Sequence, residues 1–255
     1  MSPHFNRRRR HTNAIKYMFS KIKSIFKKIN GPMPLVDFQD YNEYWKKRQH
    51  ENAAVLHRYI VIKNKVPDGS SVLDIGCGNG GFLKYLKKER PNCDVVGIDV
   101  SSEAVENLKT EGFAAYLAQC ETSARELTGR DFDYVVLMEV VEHAHDAEQL
   151  VRQALECNPR SIFITIPNVG YFMHRLRLMF GGRFPVTTIL FHMKEHIRFW
   201  TVKDFKQWME YLGCRVVSCV GQQQTRNKVI LFLMRISPGW FASQVVYEVV
   251  RSEPR

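Results

Sequence analysis

The stretch Ser71-Val72-Leu73-Asp74-Ile75-Gly76-Cys77-Gly78-Asn79-Gly80-Gly81 constrains this chain more than any other part of it. Its first five residues read as a strand, the glycines after them let the backbone turn sharply, and the apolar periodicity over 80–89 reads as a helix. A strand that passes through a glycine loop into a helix is the opening unit of an open α/β sheet. A ligand can approach that loop closely where no Cβ stands in the way. Gly76, Gly78 and Gly81 also satisfy the G-x-G-x-x-G spacing, so the glycines alone fit several adenosine ligands, dinucleotides included.

Asp74 separates these ligands. A carboxylate two residues ahead of the first glycine repels a pyrophosphate held at the next helix terminus, but it accepts hydrogen bonds from a ligand amine. Asp99 ends the following run, Val95-Val96-Gly97-Ile98-Asp99-Val100-Ser101, and suits the two hydroxyls of a ribose. S-adenosylmethionine carries an ammonium beside a sulfonium, so residues 71–101 are expected to form a pocket for that cofactor.

Downstream, helical and extended patterns alternate. Helices are expected near 52–64, 80–89, 102–110 and 146–156, with strands at 71–75, 94–98, 113–118, 132–138 and 161–166. Strands that are apolar on both faces, such as Val135-Val136-Leu137-Met138, indicate a parallel sheet covered by helices. Helices near 170–180 and 201–212 precede two strand-like runs, Cys214 to Val220 and Val229 to Arg235, which the turn-rich GQQQTRN makes an antiparallel hairpin.

These residues carry a resemblance. VLDIGCGNG followed by VVGIDVS resembles the first two motifs of class I S-adenosylmethionine-dependent methyltransferases. The resemblance implies an α/β, Rossmann-like, seven-stranded, mostly parallel sheet with a C-terminal antiparallel hairpin. It also implies cofactor contacts from Asp74, Gly76, Cys77, Gly78, Gly80, Asp99 and Val100, with Glu139 beside them. A residue at the end of strand three contacts the adenine in that family; here Gln119 or Cys120 occupies the position.

The run Glu139-Val140-Val141-Glu142-His143 after strand four is similar to the fourth motif of the ubiquinone-pathway O-methyltransferases. It lies where α/β enzymes keep their ligands. A hydroxyl acceptor must lose its proton, so His143 is the expected general base, with Glu142 beside it. The competing reading of His143 is a residue that fixes the loop over the cofactor. A metal bridging Glu139, Glu142, His143 and His196 is a further alternative, but such groups usually hydrogen-bond without one, and no metal is assigned.

The acceptor side, Ile166-Pro167-Asn168-Val169-Gly170, Gly182-Arg183-Phe184-Pro185-Val186-Thr187 and His196-Ile197-Arg198-Phe199-Trp200-Thr201, resembles the methionine-biosynthesis protein W family over 70–215. That family typically has no Glu-Val-Val-Glu-His in strand four. The resemblance implies an alternative function, a cofactor-binding accessory protein that supports a homoserine acyltransferase. Asn168, His196 and Arg198 are expected at the cofactor mouth, where Arg198 holds an anionic acceptor or all three form a loop network. Tyr41, Tyr44, Trp45 and Arg48 are candidates for a lid over the donor or for packing a preceding helix on the sheet.

Charge bears on partners. The net charge is +11, yet residues 1–30 hold nine Lys or Arg and no Asp or Glu, leaving 28 basic and 26 acidic residues in the other 225. A nearly neutral body argues against nucleic acid. Within the basic segment, Ile15, Met18, Phe19, Ile22, Ile25, Phe26 and Ile29 recur at helical spacing. Residues 1–34 are therefore expected to form a basic amphipathic extension, and the resemblance implies a methyltransferase domain over 35–255. Residues 14–29 are expected to lie on an anionic membrane, on the protein body or on a partner protein. Six cysteines without a C-x-x-C pair point to a reducing cytoplasm, with attachment at the membrane periphery through the helix. The expected reaction is methyl transfer to oxygen of a small-molecule, sugar or lipid-linked acceptor.

Overall fold

The structure, a computed structural model, describes residues 20–31, 40–47, 55–118, 123–185, 196–222, 225 and 227–252. Helix α1 covers residues 20–30, and the part of the expected amphipathic helix before residue 20 lies outside the described residues. Two short helices follow, α2 (Tyr41–Lys47) and α3 (His57–Lys63). The alternating body then runs β1 (Ser71–Ile75), α4 (Gly81–Glu89), β2 (Asp94–Asp99), α5 (Ser102–Thr110), β3 (Ala114–Leu117), α6 (Ala124–Thr128), β4 (Tyr134–Met138), α7 (Ala147–Glu156) and β5 (Ser161–Pro167). It closes with α8 (Phe172–Gly181), α9 (Val202–Tyr211), β6 (Cys214–Gln222), α10 (Lys228–Ile236), α11 (Pro238–Phe241) and β7 (Gln244–Arg251).

The strands form one seven-stranded sheet in the order β3-β2-β1-β4-β5-β7-β6. β1 to β5 are parallel, and β7 runs antiparallel to both β5 and β6. The order reverses between β1 and β4, which opens a crevice at the carboxyl ends of those two strands. Both sheet faces are covered. Leu73, Val135, Leu137, Ile164 and Tyr247 pack on one side and Val72, Val136, Phe82 and Phe163 on the other. Alternate residues of one strand thus enter different cores, which is why these strands are apolar throughout.

The expected hairpin is corrected in its second strand. Val229 to Arg235 is not a strand but lies in α10, and the strand paired with β6 is β7. An unbroken apolar run such as Val229 to Met234 has no period to separate helix from strand. Asn227 decides locally, because its side chain accepts from the backbone N–H of Val229 at 2.9 Å and of Ile230 at 3.3 Å. Two other details differ. The helix expected over 52–64 begins at His57 among the described residues, and α6 stands where no helix was expected.

Candidate functional site

The pocket is built where β1 and β4 diverge. Asp74, paired in register with Gly97 of β2 and Val136 of β4, is 1% exposed, and neither of its oxygens has a hydrogen-bond partner. Burial, and then the Asp99 carboxylate, push its carboxyl well above the usual range. An orphaned buried carboxylate is costly, so this one calls for a cationic hydrogen-bond donor.

The glycine loop lies over it. Gly76 has φ +76°, and a Cβ there would come within 2.4 Å of the Val140 side chain, so the β1 and β4 loops can touch only at a glycine. Gly78 has φ +52°, and a Cβ there would reach 2.2 Å from the Trp45 ring. Trp45 therefore sits on the glycine loop as part of α2. The same helix is fastened by Asn42, whose Oδ1 accepts from Ser101 Oγ at 2.8 Å and from Ser102 Oγ at 3.3 Å. The Tyr41 and His143 rings stand perpendicular with centroids 6.5 Å apart, and Tyr44 packs in the same way on Trp45 at 5.0 Å. The expected lid residues Tyr41, Tyr44 and Trp45 are thus on the site, whereas Arg48 lies outside the described residues.

Asp99 has a structural duty besides the expected one. Its two oxygens accept from the backbone N–H of Gly78 at 2.7 Å and of Ser101 at 2.9 Å, which ties the glycine loop to β2. Each oxygen keeps a second lone pair for a ligand hydroxyl. Cys77 is buried with its sulfur against Gly97, so its side chain belongs to the core rather than the pocket. Gly80 caps α4, and Val100 follows Asp99 at the rim. Gln119 and Cys120 lie outside the described residues.

Past β4, Glu139 adopts φ +56°, a conformation uncommon for a residue with a side chain. Its carboxylate is held by Thr165 Oγ1 at 3.1 Å and Gln244 Nε2 at 3.0 Å. Those bonds bridge β4 to β5 and β7 and separate Glu139 from the metal grouping considered from the sequence. Glu142 is different: it is 1% exposed, both oxygens are unpartnered, and burial followed by the Glu139 charge drives its carboxyl well upward. The His143 ring meets His196 edge to face at 4.5 Å, and ligand atoms of Glu142, His143 and His196 all lie within 4.8 Å of one another. Burial, and secondly His143, lower His196 to about 3, so it is a neutral imidazole at neutral pH. One carboxylate with two imidazoles can hold a divalent ion, and without one it can pass a proton.

One functional side chain escaped the sequence reading. Arg58 of α3 counts among the charges that lower Asp74, Glu139 and Glu142 against their burial, and its own Nε is buried without a partner. Nothing in its spacing marks it, because it lies on a helix outside the alternating body.

The remaining acceptor-side residues form the loop network. Asn168 is 1% exposed; its Nδ2 donates to Ala242 O at 2.8 Å and Gly239 O at 3.1 Å, and its Oδ1 accepts from Gly170 N at 2.9 Å. Arg198 is bound to Glu148 Oε1 at 3.1 Å and donates to His145 O at 2.7 Å, so it pins loops rather than aiming at an acceptor. Removing the Asn168 amide leaves several buried backbone groups unmet. Asn168→Ala is expected to lower stability by about 2–4 kcal/mol in urea unfolding; an unchanged midpoint would deny it this role.

A family model described as methionine biosynthesis protein MetW matches residues 57–249. The bifunctional methionine biosynthesis protein MetXA/MetW of Rhodopirellula baltica is 26% identical over 58% of this chain and 25% of its own length. The ubiquinone biosynthesis O-methyltransferase of Coxiella burnetii is 25% identical over 60% of this chain and 67% of its own. This chain spans 25–48% of the length of six curated relatives, the bifunctional protein among them. Among solved structures, a chain from the complex of the Haloferax volcanii Trm112 methyltransferase activator with a methyltransferase shares the fold. It has a TM-score of 0.59 and 13% identity, covering 85% of this chain and 100% of that one.

Proposed function

The chain belongs to the methionine biosynthesis protein MetW family, and from that premise we propose that it is an S-adenosylmethionine-dependent methyltransferase. The acceptor atom is oxygen, on a small molecule, a sugar or a lipid-linked compound. The observation that carries this reading is Asp74, a buried carboxylate without a partner directly under a glycine loop.

The pocket's charge selects the ligand. Arg58 partly offsets the burial of Asp74, Glu139 and Glu142, and with Asp99 these carboxylates outnumber it, so a cationic ligand is favoured and a pyrophosphate is disfavoured. Asp74 accepts from the ammonium of the methionine part, and Arg58 supplies the matching donor for its carboxylate. Asp99 and Val100 meet the adenosine, with Gln119 or Cys120 at the adenine. When bound, the cofactor supplies a methyl carbon already activated by its sulfonium. The chain's own work is alignment and proton removal. His143 takes the acceptor proton with Glu142 and His196 beside it, and α2 keeps water from the donor.

A second reading has one observation in its favour, the relative in which MetXA and MetW form one chain. In that reading the protein binds the cofactor and supports a homoserine acyltransferase. Isotope-labelled donor incubated with cell extract separates the two, because only the enzyme yields a labelled product. Cofactor choice has a simpler test. S-adenosylmethionine or its demethylated product at about 100 times Kd is expected to stabilise the protein by roughly 2.7 kcal/mol, read as a higher melting temperature. Equal stabilisation by NAD would overturn the assignment.

A further inference from the structure

The surface of the chain is not evenly composed. Among the described residues, twelve of the nineteen large exposed hydrophobic side chains fall in three segments, residues 20–31, 172–185 and 227–242. Those segments hold nine Lys or Arg and no Asp or Glu. They are also neighbours in space. Arg177 of α8 donates to the carbonyls of Lys28 and Gly31 at 2.7 Å, docking the end of α1 on α8. The Arg175 guanidinium of α8 lies 4.2 Å from the Trp240 ring centroid on α11, and Phe172 packs on Phe241 at 6.1 Å. α11 in turn follows α10 through Ser237.

α10 is the least expected part. Seven of its nine residues are apolar, yet only Met234 is buried, while Phe232 is 61% and Ile236 65% exposed. A helix apolar on nearly every side is normally surrounded by protein or lipid. On α1 and α8, Phe26 and Met179 are each 67% exposed amid lysines and arginines.

We infer that α1, α8, α10 and α11 form one surface that docks on an anionic lipid bilayer. The apolar side chains enter the boundary between headgroups and acyl chains, and the Lys and Arg side chains meet lipid phosphate. Charge complementarity selects this occupant: with no carboxylate in the three segments, an anionic sheet is the matching partner. The apolar content argues for lipid over nucleic acid, whose basic footprints are polar. No described helix is long and apolar enough to cross a membrane, so the contact lies in the interface plane. The surface also borders the acceptor side, because the Asn168 amide is bonded to the carbonyls of Gly239 and Ala242 at the end of α11. Docking itself is independent of methyl transfer, and it can be tested without the cofactor.

The test is sedimentation of the full chain with phosphatidylcholine vesicles, with and without phosphatidylglycerol. Binding is expected with the anionic vesicles and at least about tenfold weaker with the neutral ones. Phe232→Glu on α10 and Met179→Glu on α8 are each expected to weaken anionic binding by about tenfold at an unchanged melting temperature, since both side chains are exposed. Lys23→Gln with Lys27→Gln gives a second route that leaves the apolar side chains in place, with a loss of similar size. Three outcomes overturn the inference: no binding to either vesicle, equal binding to both, or full binding by the α8 and α10 variants. Concentration-dependent dimerisation without vesicle binding would assign the surface to a second copy and overturn it too.

Discussion

Asp74→Asn is expected to weaken S-adenosylmethionine binding at least about 100-fold while raising the melting temperature of the ligand-free protein. The two effects have one cause. In the ligand-free chain both Asp74 oxygens are buried without partners, and burial with the nearby Asp99 charge favours the protonated form. A carboxyl whose folded pKa is raised binds more protons folded than unfolded. Stability therefore falls as pH rises from the unfolded value of 3.8 towards the raised one, and above it the penalty is fully present. Asparagine removes that penalty, and with it the charge that the ligand ammonium needs. Calorimetric titration and thermal unfolding read the two signs separately. A variant that binds as tightly as the parent, or one that melts lower without ligand, would remove Asp74 from the proposed role.

His143→Ala is expected to reduce kcat by about 10²–10⁴-fold with little change in cofactor affinity. His143 lies past β4, where its ring meets Tyr41 and His196, and it is not among the partners of the Asp99 carboxylate. The measurement uses the acceptor named by the labelled product. A chelator separates two mechanisms that the same side chains permit. If His143 takes the proton alone, EDTA leaves kcat unaltered. Loss of activity that is restored by a divalent ion would reassign Glu142, His143 and His196 as its ligands, since their donor atoms lie within 4.8 Å of one another. Full activity of the alanine variant would take His143 out of the reaction.

The two cases of misreading have different physical origins. Val229 to Met234 lacks a period because it is apolar at every position, and a sheet slot was open for it only while β7 went unnoticed. The signals were present, Asn227 as a cap and Val245-Val246-Tyr247 as a β-rich run, but choosing between the two segments requires knowing which one pairs with β5. Arg198 and Asn168 were expected at the cofactor mouth, as an anion anchor or as a loop network, and their side chains are occupied by Glu148, His145 and nearby backbone groups. A polar residue in a loop looks the same in sequence whether its partner is a ligand or the chain itself.

The amino-acid sequence by itself determined the α/β class, the position of the glycine loop and the carboxylates Asp74 and Asp99, because these depend on local periodicity and on spacing within one strand, turn and helix. The tertiary structure alone decided that Asp74 is orphaned while Asp99 and Glu139 are held. It also brought Arg58 and Trp45 to the pocket from helices outside the alternating body and joined three distant basic segments into one apolar surface. Hydrogen-bond satisfaction and exposure are properties of neighbours in space, and residues far apart in the chain become neighbours only when the sheet is assembled.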